Sequence, residues 1–212
     1  MANVAFWFSK LEARLLLFYY LVKTRWNGRK YSWSSLKKWI VRFRNKFLKK
    51  EKPSLGIVDT KSIKNTNNAE EKGYDNHKKI SGIKLYIIVD TLGLPHAFFV
   101  SKASMTARKG AISMMECQKD SLCSIQKFLV DGGYVGETFA KEIQTLFPHA
   151  KVEVVKWDEL HTFEVLSKRW VVERSFGWLE QNCCLWKNCE RKLHTSLEMT
   201  VLAFFFLLLK RY

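Results

Sequence analysis

Cysteine, proline and glycine are scarce in this 212-residue chain, and each scarcity excludes a class of protein. The five cysteines form no Cys-x-x-Cys pair, so they supply neither a disulfide framework nor zinc-ribbon spacing. Cys183, Cys184, Cys189 and His194 do cluster, but their irregular spacing favours ordinary thiols over a metal site. Three prolines and ten glycines, beside 47% hydrophobic residues, exclude collagen-like and disordered proteins. The chain is expected to fold around a core, in a reducing compartment.

Long apolar runs are also missing. Residues 201–209 form the longest run, and a membrane span needs roughly 20 residues. Lys10, Glu12 and Arg14 interrupt what would be the apolar part of a signal peptide. We therefore expect a cytoplasmic protein that does not bind membranes.

Acidic residues are scarce in one part of the chain. The whole chain has 36 Lys and Arg against 20 Asp and Glu, a formal net charge of +16. Residues 1–50 hold 13 of these cations and one acid, Glu12, so they carry +12 of the excess. This imbalance predicts a polyanionic partner. It also divides the chain into a basic arm, residues 1–52, and a body, residues 53–212.

Two helices are predicted in the arm, residues 11–22 and a second helix that begins near Ser34, with a turn at Asn27-Gly28 between them. The second helix has one apolar stripe, made of Leu36, Ile40, Phe43 and Phe47. Its other faces carry five candidate DNA-binding cations: Lys37, Lys38, Arg42, Arg44 and Lys46. The pattern resembles part of a DNA-binding helix-turn-helix. A solvated basic helix that only packs on the body would look the same, and both interpretations stay open.

In the body, two apolar runs each contain an aspartate near their end. Residues 55–60 predict a strand with Asp59, and residues 126–131 predict a strand with Asp131. A hairpin turn at residues 91–94, a strand at 151–155 and helices at 109–117 and 137–146 complete a mixed α/β pattern. A further helix from residue 163 buries a stripe made of Val165, Val172, Phe176 and Leu179. Glu173 lies about 100° from Val172, at the margin of that stripe.

Three carboxylates with no histidine favour hard cations, Mg²⁺ or Mn²⁺, over zinc. Two such ions about 4 Å apart would suit an in-line phosphodiester displacement by the set Asp59, Asp131 and Glu173. Asp90, in a second Val-Asp-Thr, is expected at the other end of the sheet, in a turn. Asp75 and His77 are expected in a solvated loop. Three lysines flank that loop, and they either contact phosphates or form a solvated face: Lys78, Lys79 and Lys84.

Four motifs carry a family resemblance: VDTKSIK at 58–64, KGYDNHKKISGIKLYIIVDTLGL at 72–94, DGGYVG at 131–136 and RWVVERSFGWLEQ at 169–181. Together they resemble bacterial insertion-sequence transposases of the Asp-Asp-Glu (DDE) superfamily, close to the insertion-sequence-five group. The resemblance implies a ribonuclease H-like fold, a mixed five-stranded sheet flanked by helices. It makes Asp59, Asp131 and Glu173 the catalytic and metal-binding residues, and it makes Arg169 a DNA contact.

The resemblance also implies an activity: metal-dependent cleavage of double-stranded DNA at transposon ends and strand transfer into target DNA, by a homo-oligomer on bacterial nucleoid DNA. Glu180 stands where the family signature has a lysine, so that DNA contact is absent or moved to Lys187. The alternative is a truncated or inactive remnant that binds DNA without completing transposition. A general ribonuclease H-like nuclease explains the acids but not the motifs around them.

Overall fold

The computed structural model describes residues 33–155, 169–181 and 185–211. The chain divides into two compact units, residues 1–38 and 39–212. The predicted helix at 11–22, the turn at 27–28, Val165, Cys183 and Cys184 lie outside the described residues.

The second predicted arm helix is present as α1 (Trp33–Lys46). Leu36, Ile40 and Phe43 of its apolar stripe are buried, as predicted. Phe47, the fourth member, is 51% exposed, so that part of the prediction is wrong. The helix ends one residue earlier, and the amide of Phe47 closes a terminal turn onto the carbonyl of Arg44.

One mixed sheet of six strands forms the centre of the second unit: β1 (Leu55–Lys64), β2 (Gly73–Asp75), β3 (Ile80–Val89), β4 (Pro95–Lys102), β5 (Lys127–Asp131) and β6 (Lys151–Val155). The strand order is β2-β3-β1-β5-β6, and β4 also pairs with β3. β1, β2 and β4 run antiparallel to β3, whereas β1, β5 and β6 run parallel to one another. The sheet therefore has the predicted five strands and, in addition, the three-residue strand β2.

Five helices follow α1: α2 (Ala107–Cys117), α3 (Lys119–Leu122), α4 (Glu137–Leu146), α5 (Arg169–Glu180) and α6 (Leu193–Arg211). Alternate residues of a strand point to opposite faces, so the sheet needs a layer of helices on each side. One face packs on α2 and α4 through an apolar cluster that includes Val58, Tyr86, Phe128, Met114 and Phe139. The other face carries α5 and α6; Phe98 of β4, for example, lies 5.2 Å from Phe204 of α6, ring centre to ring centre. This is the ribonuclease H-like class that the motifs implied.

A glycine lets α2 approach the sheet closely. A Cβ atom on Gly110 would lie 2.1 Å from Cζ of Tyr86, a residue of β3 with no exposed surface. The Tyr86 hydroxyl donates to the carbonyl of Thr106, just before α2, and accepts from the hydroxyl of Ser101. Position 110 therefore sets how near the first turns of α2 lie to β3.

The C-terminal helix α6 is apolar on all sides. Among the described residues, its segment Leu193–Lys210 is long and apolar enough to cross a membrane, with a mean hydropathy of 1.5. The prediction of no membrane span was based on the shorter apolar run at 201–209. The length of the helix does not support that prediction. Within the domain, 28% of this segment is buried, and Ala203, Phe204 and Leu208 are among its buried residues.

Candidate active site

The parallel pairing of β1 and β5 places two acids side by side. Ile57 of β1 is paired with Leu129 of β5. Two residues further along each strand come Asp59 and Asp131, which therefore face the same side of the sheet as that pair. Adjacent strands are spaced about 5 Å apart, so the two carboxylates leave neighbouring points of the sheet.

Each of these carboxylates is oriented by the next backbone amide. The amide of Thr60 donates to Oδ1 of Asp59 at 2.7 Å, and the amide of Gly132 donates to Oδ1 of Asp131 at 2.6 Å. Asp131 thereby caps the short 3-10 turn Gly132–Tyr134. A Cβ atom on Gly132 or Gly133 would meet nothing within 4 Å, so the turn leaves open space beside Asp131.

Helix α5 covers the same face of the sheet. Lys61, two residues after Asp59, has its ammonium 5.9 Å from the centre of the Phe176 ring. The predicted buried stripe is confirmed at Val172, Phe176 and Leu179. Glu173, about 100° from Val172, is exposed at the margin of α5 that also carries Glu180.

The opposite margin of α5 is tied to the β3–β4 turn. The hydroxyl of Ser175 donates to the carbonyl of Gly93, and the guanidinium of Arg174 donates to the carbonyl of Leu92. Because Glu173 is about 200° from Ser175 on the helix, it faces away from this turn. Glu173 therefore belongs to the helix above the face that bears Asp59 and Asp131. Arg169 is the first residue of α5.

The three acids do not form a closed cluster. Within the described parts of the chain, no three His, Cys, Asp or Glu side chains lie close enough together to hold a metal ion. Asp59 and Asp131 lie on adjacent strands and on the same face of the sheet, and Glu173 lies on the helix that covers that face. Their donor atoms are all carboxylate oxygens at half-buried or exposed positions, which is the chemistry that Mg²⁺ and Mn²⁺ prefer.

The negative charges of both aspartates act on the buried side chain of Tyr134. Burial, and then the charges of Asp59, Tyr86 and Asp131, raise the pKa of Tyr134 well above its ordinary value. Tyr134 is only 2% exposed, and its hydroxyl bonds to no described group. The two carboxylates therefore make one region of negative potential at the end of β5.

Most of the arm cations that were predicted to bind DNA are accessible, but Arg44 is not. Lys38, Arg42 and Lys46 are exposed, and Lys37 is half-buried with its ammonium 5.3 Å from the Trp33 ring. The side chain of Arg44 is only 6% exposed, and its guanidinium forms an ion pair with the carboxylate of Asp90. Arg44 is therefore a structural cation, and its assignment as a DNA contact is withdrawn.

Lys84 was also predicted to contact DNA, and it too is buried in an ion pair. Its side chain is 10% exposed, and its ammonium lies 3.0 Å from the carboxylate of Asp75 and donates to the carbonyl of Met105 at 2.9 Å. A phosphate contact would break this buried pair. Lys78 and Lys79, on the adjoining loop, are exposed and stay candidates.

The prediction that Asp75 lies in a solvated loop is wrong. Asp75 is the last residue of β2 and is only 7% exposed. Burial by itself raises the pKa of Asp75, but hydrogen bonds from Ser62 and Lys84 outweigh burial and hold the pKa well below its ordinary range. Its other oxygen accepts from the amides of His77 and Lys78. Asp75 therefore shapes the loop that presents Lys78 and Lys79.

Asp90 has the turn role that the sequence predicted. It is 1% exposed, and Oδ1 accepts from the amides of Leu92 and Leu94 in the β3–β4 turn. Oδ2 contacts Arg44 and lies 3.1 Å from Nε2 of His96. Asp90 is thus a fully partnered turn residue.

Comparison with known families decides what this domain is. Residues 50–209, about three quarters of the chain, match the model of the transposase DDE domain. The chain belongs to this family. The family match supports a transposase type of function. No curated protein matches the chain at a significant level.

Solved structures similar to this domain come from viral integrases and a transposase. A chain of the simian T-cell lymphotropic virus intasome in complex with PP2A regulatory subunit B56 gamma is 17% identical, with a TM-score of 0.47 over 71% of this chain. This chain spans 48% of that one. The catalytic core domain of HTLV-2 integrase in complex with magnesium is 19% identical, with a TM-score of 0.44 over 71% of this chain and 85% of that chain. The catalytic domain of Mos1 mariner transposase is 11% identical, with a TM-score of 0.43 over 83% and 88%.

Proposed function

We propose that this chain is an insertion-sequence transposase of the insertion-sequence-five-like group, which cuts double-stranded DNA at transposon ends and joins the freed strand to target DNA. Asp59, Asp131 and Glu173 are its catalytic carboxylates. The observation that carries the proposal is the pairing of Ile57 with Leu129, since continuing that register sets Asp59 beside Asp131 on the face under α5.

The three carboxylates would hold Mg²⁺ or Mn²⁺, two ions in the working site. When bound, these cations supply the positive charge that a phosphodiester displacement needs at its attacking and leaving oxygens. The amides of Thr60 and Gly132 fix the direction of the two aspartates. Gly132 and Gly133 leave room for a DNA backbone next to Asp131.

The remaining cations would contact DNA phosphates. Arg169 begins α5 four residues before Glu173, which puts it about one helical turn away. Lys78 and Lys79 are exposed on the loop that Asp75 shapes, and α1 adds Lys37, Lys38, Arg42 and Lys46. The protein would work as a homo-oligomer that holds two DNA ends, associated with the bacterial nucleoid.

The test is nicking of a supercoiled plasmid in Mg²⁺ or Mn²⁺ by the full chain and by Asp59→Asn, Asp131→Asn and Glu173→Gln. Each variant is expected to lose about 10³-fold or more of the cleavage rate, because each removes a charge that acts only in the reaction. Glu142→Gln, an exposed acid on α4, is the matched control and should cleave normally. All variants should unfold at nearly the wild-type temperature. Cleavage retained by Asp131→Asn would exclude this mechanism.

A second candidate function is binding of DNA without completed transposition. Glu180 favours it, because this anion lies on the same helix margin as Glu173 and forms an ion pair with Lys61, a cation next to Asp59. An excision assay with the element's own ends, run beside the nicking assay, separates the two. Binding and nicking without excision would support the second candidate, and precise excision would refute it.

A further inference from the structure

An ion pair lies beside the candidate site and has no role in the proposed cleavage. The ammonium of Lys61 bonds to the carboxylate of Glu180, which links β1 to the last residue of α5. Lys61 follows Asp59 by two residues, so the two side chains share a face of the sheet. Glu180 follows Glu173 by seven residues, almost two full helical turns, so these two acids share a margin of the helix.

We propose that Lys61 is a DNA-phosphate contact of this site and that Glu180 competes with the phosphate for its ammonium. The inference rests on the proposed function, because it takes DNA to be the molecule that lies over Asp59. Residues two apart on a strand are about 7 Å apart, and a lysine side chain spans a similar length. Lys61 can therefore reach a DNA phosphate next to the one that would be cleaved at the Asp59 and Asp131 site.

The Lys61–Glu180 ion pair is exposed enough for a DNA phosphate to replace the Glu180 carboxylate. The Lys61 side chain is 35% exposed and that of Glu180 is 44% exposed. Exposed ion pairs contribute little to folding, typically about 0–1 kcal/mol, so breaking this one costs the fold little. A phosphate can replace the carboxylate oxygen with its own charged oxygens.

The lysine also has a support that does not depend on Glu180. Its ammonium lies near the ring of Phe176, a residue only 5% exposed and fixed in the core between α5 and the sheet. A cation near an aromatic ring is attracted to it. Lys61 therefore keeps its place over the sheet when Glu180 loses its charge.

The chain offers a matched control pair. Lys127 and Glu153 also form an ion pair, and each side chain is 45% exposed. Lys127 lies on β5 four residues before Asp131, about 13 Å away along the strand. Removing the charge of Glu153 changes the net charge of the chain as much as removing that of Glu180, but away from the candidate site.

The experiment measures the dissociation constant for a short DNA duplex by fluorescence anisotropy at about 0.1 M salt. Glu180→Gln is expected to bind roughly 3–10-fold more tightly, and Lys61→Gln roughly 3–10-fold more weakly, the size of one phosphate contact. The double variant should match Lys61→Gln, because Glu180 acts only through Lys61. Glu153→Gln should change the constant less than about 2-fold, and Lys61→Arg should retain binding.

The proposal is overturned if Glu180→Gln and Glu153→Gln have equal effects, or if the double variant still gains affinity. Lys61→Arg keeps the test decisive if Lys61→Gln unfolds. Plasmid nicking by the same proteins distinguishes this failure from failure of the proposed function. If the Lys61 and Glu180 variants change binding in opposite directions but nicking does not depend on Asp131, the Lys61 contact is supported and the proposed cleavage is excluded. If nicking depends on Asp131 but these binding effects are absent, the cleavage is supported and the Lys61 contact is excluded.

Discussion

The tripeptide Val-Asp-Thr occurs twice in this domain, at residues 58–60 in β1 and at residues 89–91 at the end of β3, and the two copies have different structural roles. Both valines are buried. Asp90 is 1% exposed and is bound by Arg44, His96 and two turn amides. Asp59 is half-buried beside Asp131, on the face of the sheet that α5 covers.

The difference teaches that neighbours in space, and not neighbours in sequence, decide what an aspartate does here. At the end of β3 the chain turns, and the amides of Leu92 and Leu94 donate to Asp90, which anchors the turn. In the middle of β1 no turn is available, and the parallel strand β5 supplies a second acid instead. One carboxylate therefore holds the fold together, and the other joins a second acid at the candidate site.

The largest expected effect that tests this comparison is on stability. Asp90→Asn keeps the side-chain oxygen that the turn amides use, but it leaves the guanidinium of Arg44 buried without a counter-charge. We expect a loss of about 3–5 kcal/mol in the free energy of unfolding, measured by urea denaturation. Asp59→Asn should change it by less than about 0.5 kcal/mol, because the asparagine keeps the oxygen that the Thr60 amide uses. Equal losses from the two substitutions would remove the distinction.

A smaller effect is expected on the pH dependence of stability. Burial raises the pKa of Asp90, but the hydrogen bond and charge of His96, with the charge of Arg44, outweigh it and lower the pKa below its ordinary value. A lowered pKa adds stability above the unfolded-state value of about 3.9, and this stability is lost as the pH falls toward the folded-state value.

The gap in unfolding free energy between the wild type and Asp90→Asn should therefore shrink as the pH falls below about 4. Urea denaturation as a function of pH measures it. Asp75, whose pKa is also lowered, weakens both proteins equally in acid and cancels from the difference. A gap that widened below about pH 4 would contradict the lowered pKa of Asp90.

The smallest effect concerns the threonines of the two copies. The Thr60 hydroxyl donates to the carbonyl of Leu85 at 3.1 Å, across the β1–β3 pairing. Thr91 lies in the turn and is half-buried. Thr60→Val should cost about 1 kcal/mol in thermal or urea unfolding, and Thr91→Val should be neutral within about 0.5 kcal/mol. The reverse order would show that the Thr60 bond contributes nothing.

Much of the fold follows from local sequence. The segment after Asp131 is the clearest case: a helix at 137–146 and a strand at 151–155 are predicted, and both are present with these bounds. Helix α6 was missed because it is apolar on every side, so no periodic stripe marks it as a helix. Strand β2 was missed because three residues are too few for an alternating pattern.

The sequence singled out Asp59 and Asp131 because apolar runs precede them, although β1 continues for five residues beyond Asp59. It did not reveal the buried ion pairs, which depend on partners far away in the chain. Arg44 and Asp90 are 46 residues apart, and no charge pattern within α1 separates a cation that folds back on a buried acid from one that faces solvent. Lys84 and Asp75 were misplaced for the same reason, because short-range composition does not report burial.

Because Gly110 has no side chain, mutations at this position are expected to affect cleavage as well as packing. An added methyl group there would overlap Tyr86 and force α2 away from β3. The second residue of α2 is Arg108, whose guanidinium donates to the carbonyl of Gly133, in the turn that follows Asp131. A random-mutagenesis screen for lost cleavage should therefore recover position 110 beside the three acids, although it lies on the far side of the sheet from them.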